Sequence, residues 1–224
     1  MRVASYNVRK AVGLDWRRKP DRILAVLDEI APDVAVLQEA DKRLGARPSA
    51  IPHVLIEAHG RWRHLDPGPG PSLGWHGNAV LLGPGVEAEV MDRLTLPGLE
   101  PRGALVARIA GPGGPLLLVA AHLGLQRGSR HLQMAAIAAA TRGGLPVLVA
   151  GDLNERAPGR LLAGLERTLR AVTPGPSFHA SRPFVALDHF LLGGSARVSA
   201  CEVHASPLAR TASDHLPIWA EVSW

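Results

Sequence analysis

The sequence predicts a mixed α/β fold in one domain spanning residues 1–224. Three observations carry the expectation. Short apolar runs, the signature of buried strands, alternate with a few segments of helical period. Two stretches read as strand, helix, strand, and each second strand runs into an acidic residue, Glu39 in one and Asp152 in the other. No Pro/Gly/Ser-rich linker divides the chain.

In order along the chain, residues 3–8 and 34–37 read as buried strands. Residues 20–30 form an amphipathic helix between them: Pro20 suits a first turn, and Ile23, Leu24, Leu27 and Ile30 recur at helical spacing. Residues 61–77 read as a loop, because Pro67-Gly68-Pro69-Gly70-Pro71 supports neither period. Residues 79–82, 86–91 and 104–109 are strands separated by Gly/Pro turns, followed by a strand over 116–121. Ser129 is expected to cap a helix running to about Arg142. A fully apolar strand over 147–150 enters Gly151-Asp152-Leu153-Asn154, with a helical region over 158–165 beyond it. The last strands are expected over 186–192, 196–203 and 216–222. The two halves share an outline, which a duplication would produce and which the commonness of strand-helix-strand units also explains.

Composition narrows the class without naming a function. Hydrophobic residues are 46% and charged residues 20%, which excludes a disordered chain. A single cysteine, Cys201, excludes an internal disulfide framework and fits a reducing compartment. No segment has the length and apolarity of a membrane span, and the start has no signal-peptide pattern, so the expectation is a soluble, cytoplasmic protein with no membrane insertion and no obligate protein partner. The net charge of +5 invites a polyanion. It arises from arginine in a chain also rich in Gly, Ala and Pro, so base composition of the gene explains it equally well.

Polar groups collect where apolar strands end, the place where α/β proteins build sites. They are Asn7, Glu39, His122, Asp152 with Asn154, and Asp214 with His215. Asp188 stands in the otherwise apolar run Val185-Ala186-Leu187-Asp188-His189-Phe190-Leu191-Leu192, where an ionised carboxylate needs a partner such as an imidazole. Taken singly, most have an ordinary reading: a strand-end amide satisfying backbone, a solvated turn, a core-edge histidine, or an Asx turn at 151–154. Taken together, Asn, Asp and Glu are hard oxygen donors, and no Cys/His set has zinc spacing. Such a set selects Mg²⁺ or Mn²⁺. Two histidines beside it would stabilise charge or move protons, which suits hydrolysis of a phosphate ester by in-line attack of water.

Ser5-Tyr6-Asn7-Val8, Leu37-Gln38-Glu39, Gly77-Asn78-Ala79-Val80-Leu81, Ala121-His122-Leu123, Gly151-Asp152-Leu153-Asn154, Leu187-Asp188-His189 and Ser213-Asp214-His215-Leu216-Pro217 follow one another in this order. Together they resemble the endonuclease/exonuclease/phosphatase superfamily, over essentially the whole chain. The resemblance implies a four-layer α/β sandwich, two face-to-face mixed β-sheets flanked by helices, and a Mg²⁺- or Mn²⁺-dependent phosphoesterase. It implies that Glu39 is the principal metal carboxylate, with Asn7 touching metal or phosphate and Asp214 a further metal-associated carboxylate. Asp152 would orient or deprotonate the attacking water, with Asn154 on the phosphate. His215 would be held by Asp188, and His122 would lie against the scissile phosphate. Whether Asp152 or the His215–Asp188 pair takes the proton stays open at this level.

Arg102 opens a strand and is a candidate phosphate contact, as is Arg9. Several nucleases of the superfamily carry an acidic metal ligand at the position of Arg9, so the resemblance argues against a second metal there. Arg130 and Gln133 fall on a helix position that is structural in the superfamily. Arg61-Trp62-Arg63-His64 and Trp75-His76 bracket the Pro/Gly loop, where they either stack on a substrate or anchor the loop. The lone tyrosine, Tyr6, lies inside the first strand, which argues against abasic-site repair. The expected substrate is a phosphate ester, with nucleic acid first among the candidates. The alternatives are a phosphomonoester or phospholipid head group cleaved at the same site, or a binding module that has kept the fold without activity.

Overall fold

The computed structural model describes residues 1–42, 45–165 and 169–224. Twelve strands form two six-stranded sheets among the described residues. The first sheet contains β1 (Arg2–Asn7), β2 (Val34–Gln38), β3 (Arg63–His64), β4 (Ala79–Leu82), β11 (Arg197–Val203) and β12 (Ile218–Ser223). Its order is β11-β12-β1-β2-β4-β3. The second contains β5 (Ala88–Leu96), β6 (Arg102–Gly111), β7 (Gly114–His122), β8 (Val147–Asp152), β9 (Leu169–Val172) and β10 (Asp188–Gly193), in the order β5-β6-β7-β8-β10-β9.

Each sheet has one parallel pair at its centre, β1 with β2 and β7 with β8, and antiparallel pairs on both sides. A helix makes each parallel crossover, α1 (Pro20–Ile30) in the first sheet and α3 (Arg127–Ala140) in the second. The likeness of the halves is therefore a likeness of topology, with the strands on one side of the first sheet supplied by the end of the chain. Central strands are buried on both faces, which is why β2 and β8 read as apolar runs, and why the polar residues within β1 and β10, Ser5, Asp188 and His189, are buried.

Three apolar layers hold this together. Val3, Val36, Val80 and Ile218 meet Leu105, Leu118, Leu148 and Phe190 between the sheets. Ala4, Tyr6, Leu37 and Leu81 face the other way, onto Ile23, Leu24 and Leu27 of α1 and Ile56 of α2 (His53–His59). Val119, Val149 and Leu191 face Met134 and Ile137 of α3 and Leu161 of α4 (Pro158–Leu162). Two face-to-face mixed sheets with helices outside are thus the α/β sandwich that the resemblance implied.

Local expectations were met unevenly. Helix α1 has its expected bounds. Ser129 does not cap α3: the helix begins two residues earlier, at Arg127, so the N-cap position falls to Gln126, which makes no side-chain cap bond. The loop read over 61–77 contains the two-residue strand β3. Helix α2, strand β9 and α5 (Ala209–Ala212) had no sequence signal strong enough to register. Trp62 is buried in the layer beneath α1, and the Trp75 indole donates to Leu94 O at 2.9 Å. Both therefore anchor the loop, and the stacking reading of these two is withdrawn.

Candidate active site

The two parallel pairs end at neighbouring places. In the first sheet the last paired residues are Asn7 and Gln38, and in the second they are His122 and Asp152. Gly151 makes the second approach possible: a Cβ there would lie 1.8 Å from Ala121 O, so only glycine lets the two backbones come this close. Past each strand end the chain turns sharply, and Glu39 (φ 53°) and Asn154 (φ 50°) both take left-handed backbone conformations. Gln38 is spent inside the sheet, its Nε2 donating to Ser5 Oγ at 3.1 Å, which leaves Glu39 as the acidic group at that end.

Asp152 is the centre of the cluster. Its Oδ1 accepts the Asn154 backbone N–H at 3.0 Å, the Asx turn that 151–154 also suggested. Its Oδ2 accepts Asn7 Nδ2 at 3.0 Å, which crosses from one sheet to the other. The same oxygen lies 3.4 Å from His122 Nε2 and 3.7 Å from His215 Nε2. Asp152, Asn7, His122 and His215 are all buried. Asn154 donates Nδ2 to Leu123 O at 3.0 Å and so ties the ends of β7 and β8 together.

The two histidines differ in charge for identifiable reasons. Burial lowers the His122 pKa to about 4; Arg102 pushes it the same way, and Asp152 and Glu39 oppose this. Arg102 Nη1 donates to His122 Nδ1 at 3.1 Å. Arginine is only ever a donor, so Nδ1 carries the lone pair and Nε2 carries the hydrogen that faces Asp152. Arg102 is itself held by Glu100 Oε2, at 3.1 Å from Nε and 2.8 Å from Nη2. Its guanidinium is thus occupied by Glu100 and His122.

His215 is the opposite case. Burial would lower its pKa, and this is the largest single effect; the charge and hydrogen bond of Asp188, helped by Asp152 and Asp214, outweigh it and raise the pKa to about 10. His215 Nδ1 donates to Asp188 Oδ2 at 2.8 Å. Asp188 opens β10, is 0% exposed, and accepts a second bond from Ser177 Oγ. Its other oxygen has no hydrogen-bond partner, so the imidazolium is the charge that makes burying this carboxylate tolerable. His189, the next residue, points to the opposite face of β10 and donates Nε2 to Glu155 O at 2.7 Å.

The remaining candidates meet at the edge of this cluster. Asp214 Oδ2 lies 3.4 Å from Arg9 Nε, and Glu39 is ion-paired with Lys10. The fields of Glu39 and Asp214 reach His122 and His215 respectively, so all the carboxylates share one electrostatic site. Asp152, Asp188 and His215 lie close enough together to hold an ion among the described residues, although the Asp188–His215 hydrogen bond already occupies two of those ligand atoms. Glu39, Asp214, Asp152 and Asn7 Oδ1 are the other hard oxygens of the site, and the three carboxylates among them face Lys10, Arg9 and His215 respectively. By chemistry this donor type suits a divalent ion. Lys10, Glu100 and Ser177 were missed from sequence. Only Lys10 had a signal there, as a second cation directly after Arg9. Arg130 and Gln133 brace the loop after β7 through Gly124, which is a structural role.

Residues 4–215 match the Endonuclease/Exonuclease/phosphatase family. The chain belongs to that family. Its members are hydrolases acting on phosphoester bonds, and the family is divalent-metal dependent. The uncharacterized protein YbhP of Escherichia coli (strain K12) is 34% identical over 163 residues, covering 66% of this chain and 63% of that protein's length. An endonuclease/exonuclease/phosphatase structure from Beutenbergia cavernae DSM 12333 superposes with a TM-score of 0.72 at 23% identity, covering 99% of this chain and 71% of that one. Humanized D. rerio TDP2 gives 0.76 at 18% identity, over 100% and 99% of the two chains. A mannosyl-6-phosphatase from Bacteroides thetaiotaomicron gives 0.71 at 15%, over 100% of both. These three structural likenesses show the fold that this family chain shares with them. No helix among the described residues is long and apolar enough to cross a membrane.

Proposed function

We propose that this chain is a Mg²⁺- or Mn²⁺-dependent hydrolase that cleaves a phosphodiester by in-line attack of water, in the manner of a nuclease. The observation that carries the reading is the convergence on Asp152 Oδ2 of Asn7 from one sheet, and of His122 and His215 around it. Glu39, with Asn7 and Asp214, would hold the ion, which when bound supplies Lewis-acid neutralisation of the phosphate's charge. The chain's own groups divide the rest. His215 keeps its proton at neutral pH, with its pKa near 10, so it donates to a phosphoryl oxygen and stabilises charge. His122 presents an N–H at Nε2 because Arg102 holds the other nitrogen, so it too is a donor. Asp152 is left as the group that orients the water and takes its proton.

The net charge of +5 is compatible with a polyanionic substrate without selecting one, and one TDP2 structure with a similar fold is complexed with single strand DNA product. Two cations, Arg9 and Lys10, beside the site would equally suit the doubly charged phosphate of a monoester. Purified protein with Mg²⁺ or Mn²⁺ is expected to hydrolyse bis-p-nitrophenyl phosphate and to cleave DNA or RNA, and His215→Ala to lose most of this. Cleavage of p-nitrophenyl phosphate alone would move the assignment to a phosphomonoester. No hydrolysis of any of these, with His215→Ala behaving identically, would overturn the proposal.

A further inference from the structure

Residues 9–11 are the longest run of non-glycine residues with positive φ among the described residues. Arg9, Lys10 and Ala11 have φ of 45°, 57° and 58°, a left-handed conformation that side-chain-bearing residues avoid singly and almost never adopt in succession. The turn is pinned from several directions. Ala11 N donates to Val8 O at 2.7 Å, Lys10 N to Glu39 O at 3.0 Å, and Arg18 Nε to Lys10 O at 3.1 Å. Its consequence is to deliver two adjacent cations onto two different carboxylates, Arg9 onto Asp214 and Lys10 onto Glu39. Both pairs are largely shielded from solvent, with side-chain exposures of 22% and 24%, and of 25% and 15%.

Lys10 and a divalent ion compete for one place. A metal on the Glu39 carboxylate and an ammonium on the same group would be like charges a few ångströms apart, in a site where water screens them poorly. The backbone of Lys10 is fixed by bonds at both its N–H and its C=O, but the four-carbon stem is flexible. The ammonium therefore swings while the turn stays. The anion that arrives next in such a site is the phosphate of the substrate.

We propose that Lys10 is the resident counter-cation of Glu39, which competes with the divalent ion for that carboxylate and, once displaced, places its ammonium on the substrate phosphate. The proposal rests on the reading that Glu39 holds the ion. It adds a phosphate ligand at the side of the site where Arg9 lies on Asp214.

The test is Mn²⁺ binding to the full-length protein, followed by electron paramagnetic resonance of free Mn²⁺, together with inorganic phosphate binding to the Mn²⁺-loaded protein by calorimetry. Lys10→Met is expected to bind Mn²⁺ about tenfold more tightly and phosphate about tenfold more weakly, with an unchanged circular dichroism spectrum. Lys10→Arg should keep both near wild type, and Glu39→Gln should lose Mn²⁺. Unchanged or weaker Mn²⁺ binding by Lys10→Met, with Glu39→Gln impaired, overturns the proposal while leaving the site assignment standing. Tighter Mn²⁺ with unchanged phosphate overturns the delivery to substrate. Wild-type Mn²⁺ affinity in Glu39→Gln overturns the assignment of Glu39, and the role of Lys10 with it.

Discussion

The two central parallel pairs are the same construction carrying different chemistry. In the first sheet β1 and β2 end in Asn7 and, one residue past the pairing, Glu39. In the second, β7 and β8 end in His122 and Asp152. One end thus offers hard oxygens with Lys10 and Arg9 as counter-charges, and the other offers a carboxylate between two imidazoles. The fold treats both alike: buried apolar strands, a helical crossover, and polar groups released only where the strand stops. The difference lies in which residues occupy the strand ends and the turn after β1, and in His215, which joins the second end from the turn before β12. On the proposed reading, a symmetric scaffold divides the reaction between a cation-binding half and a proton-handling half, because strand ends tolerate polar residues that the strand interiors do not.

That division can be broken from either side. The largest effect is expected at the junction. Asp152→Asn should lower the turnover of bis-p-nitrophenyl phosphate by about a thousandfold, since the amide keeps the shape and cannot take a proton. Retained turnover would show that the second pair is not the proton-handling half. Asp188→Asn should lower turnover by about a hundredfold and bring the His215 pKa down from about 10 toward its ordinary value, read by NMR titration of the imidazole. Gly151→Ala probes the scaffold instead of the chemistry. Its Cβ meets Ala121 O, so a loss of about 3 kcal/mol is expected in urea unfolding, with β7 and β8 forced apart. Arg102→Ala should cost about tenfold in turnover by releasing His122 Nδ1, and imidazole ¹⁵N shifts would report the loss of a single tautomer.

The smallest effect is a pH profile of stability in EDTA. His122 has its pKa depressed to about 4, so the unfolded chain takes up a proton below about 6.5 that the folded chain refuses; stability falls as pH drops through this window. His215 has its pKa raised to about 10, so its contribution is complete below about 6.5 and is lost as pH rises toward 10. Stability should therefore peak near neutral pH, and His215→Asn should flatten the alkaline limb. An alkaline limb unchanged in that variant would refute the charged His215.

Much of this was legible in the chain. The buried strands announced themselves as apolar runs, α1 by its spacing of Ile23, Leu24, Leu27 and Ile30, and the candidate groups by their position at run ends. Asp188 was conspicuous because a carboxylate in an apolar run requires a counter-charge, and His215 supplies it. Short elements escaped. β3 is two residues long, and α2 shows only Ile56 to the core as a fully buried side chain, so neither accumulates enough periodicity to be read. Ser129 misled because capping depends on where the first turn falls, which packing of Met134 and Ile137 against the second sheet decides. The left-handed turn at Arg9–Ala11 carried no glycine or asparagine to mark it.

The sequence by itself determined which residues are buried, in what order the strands and their polar ends occur, and which donor types are available for catalysis. Those are local properties, set by side-chain chemistry and period. Only the tertiary structure decided that Asn7 bonds Asp152 across 145 positions of chain, that Arg102 fixes the tautomer of His122, and that Lys10 lies on Glu39. Each depends on the direction of a side chain at a strand end or turn, and on which other end the packing of two sheets brings within about 3 Å of it, the reach of a hydrogen bond.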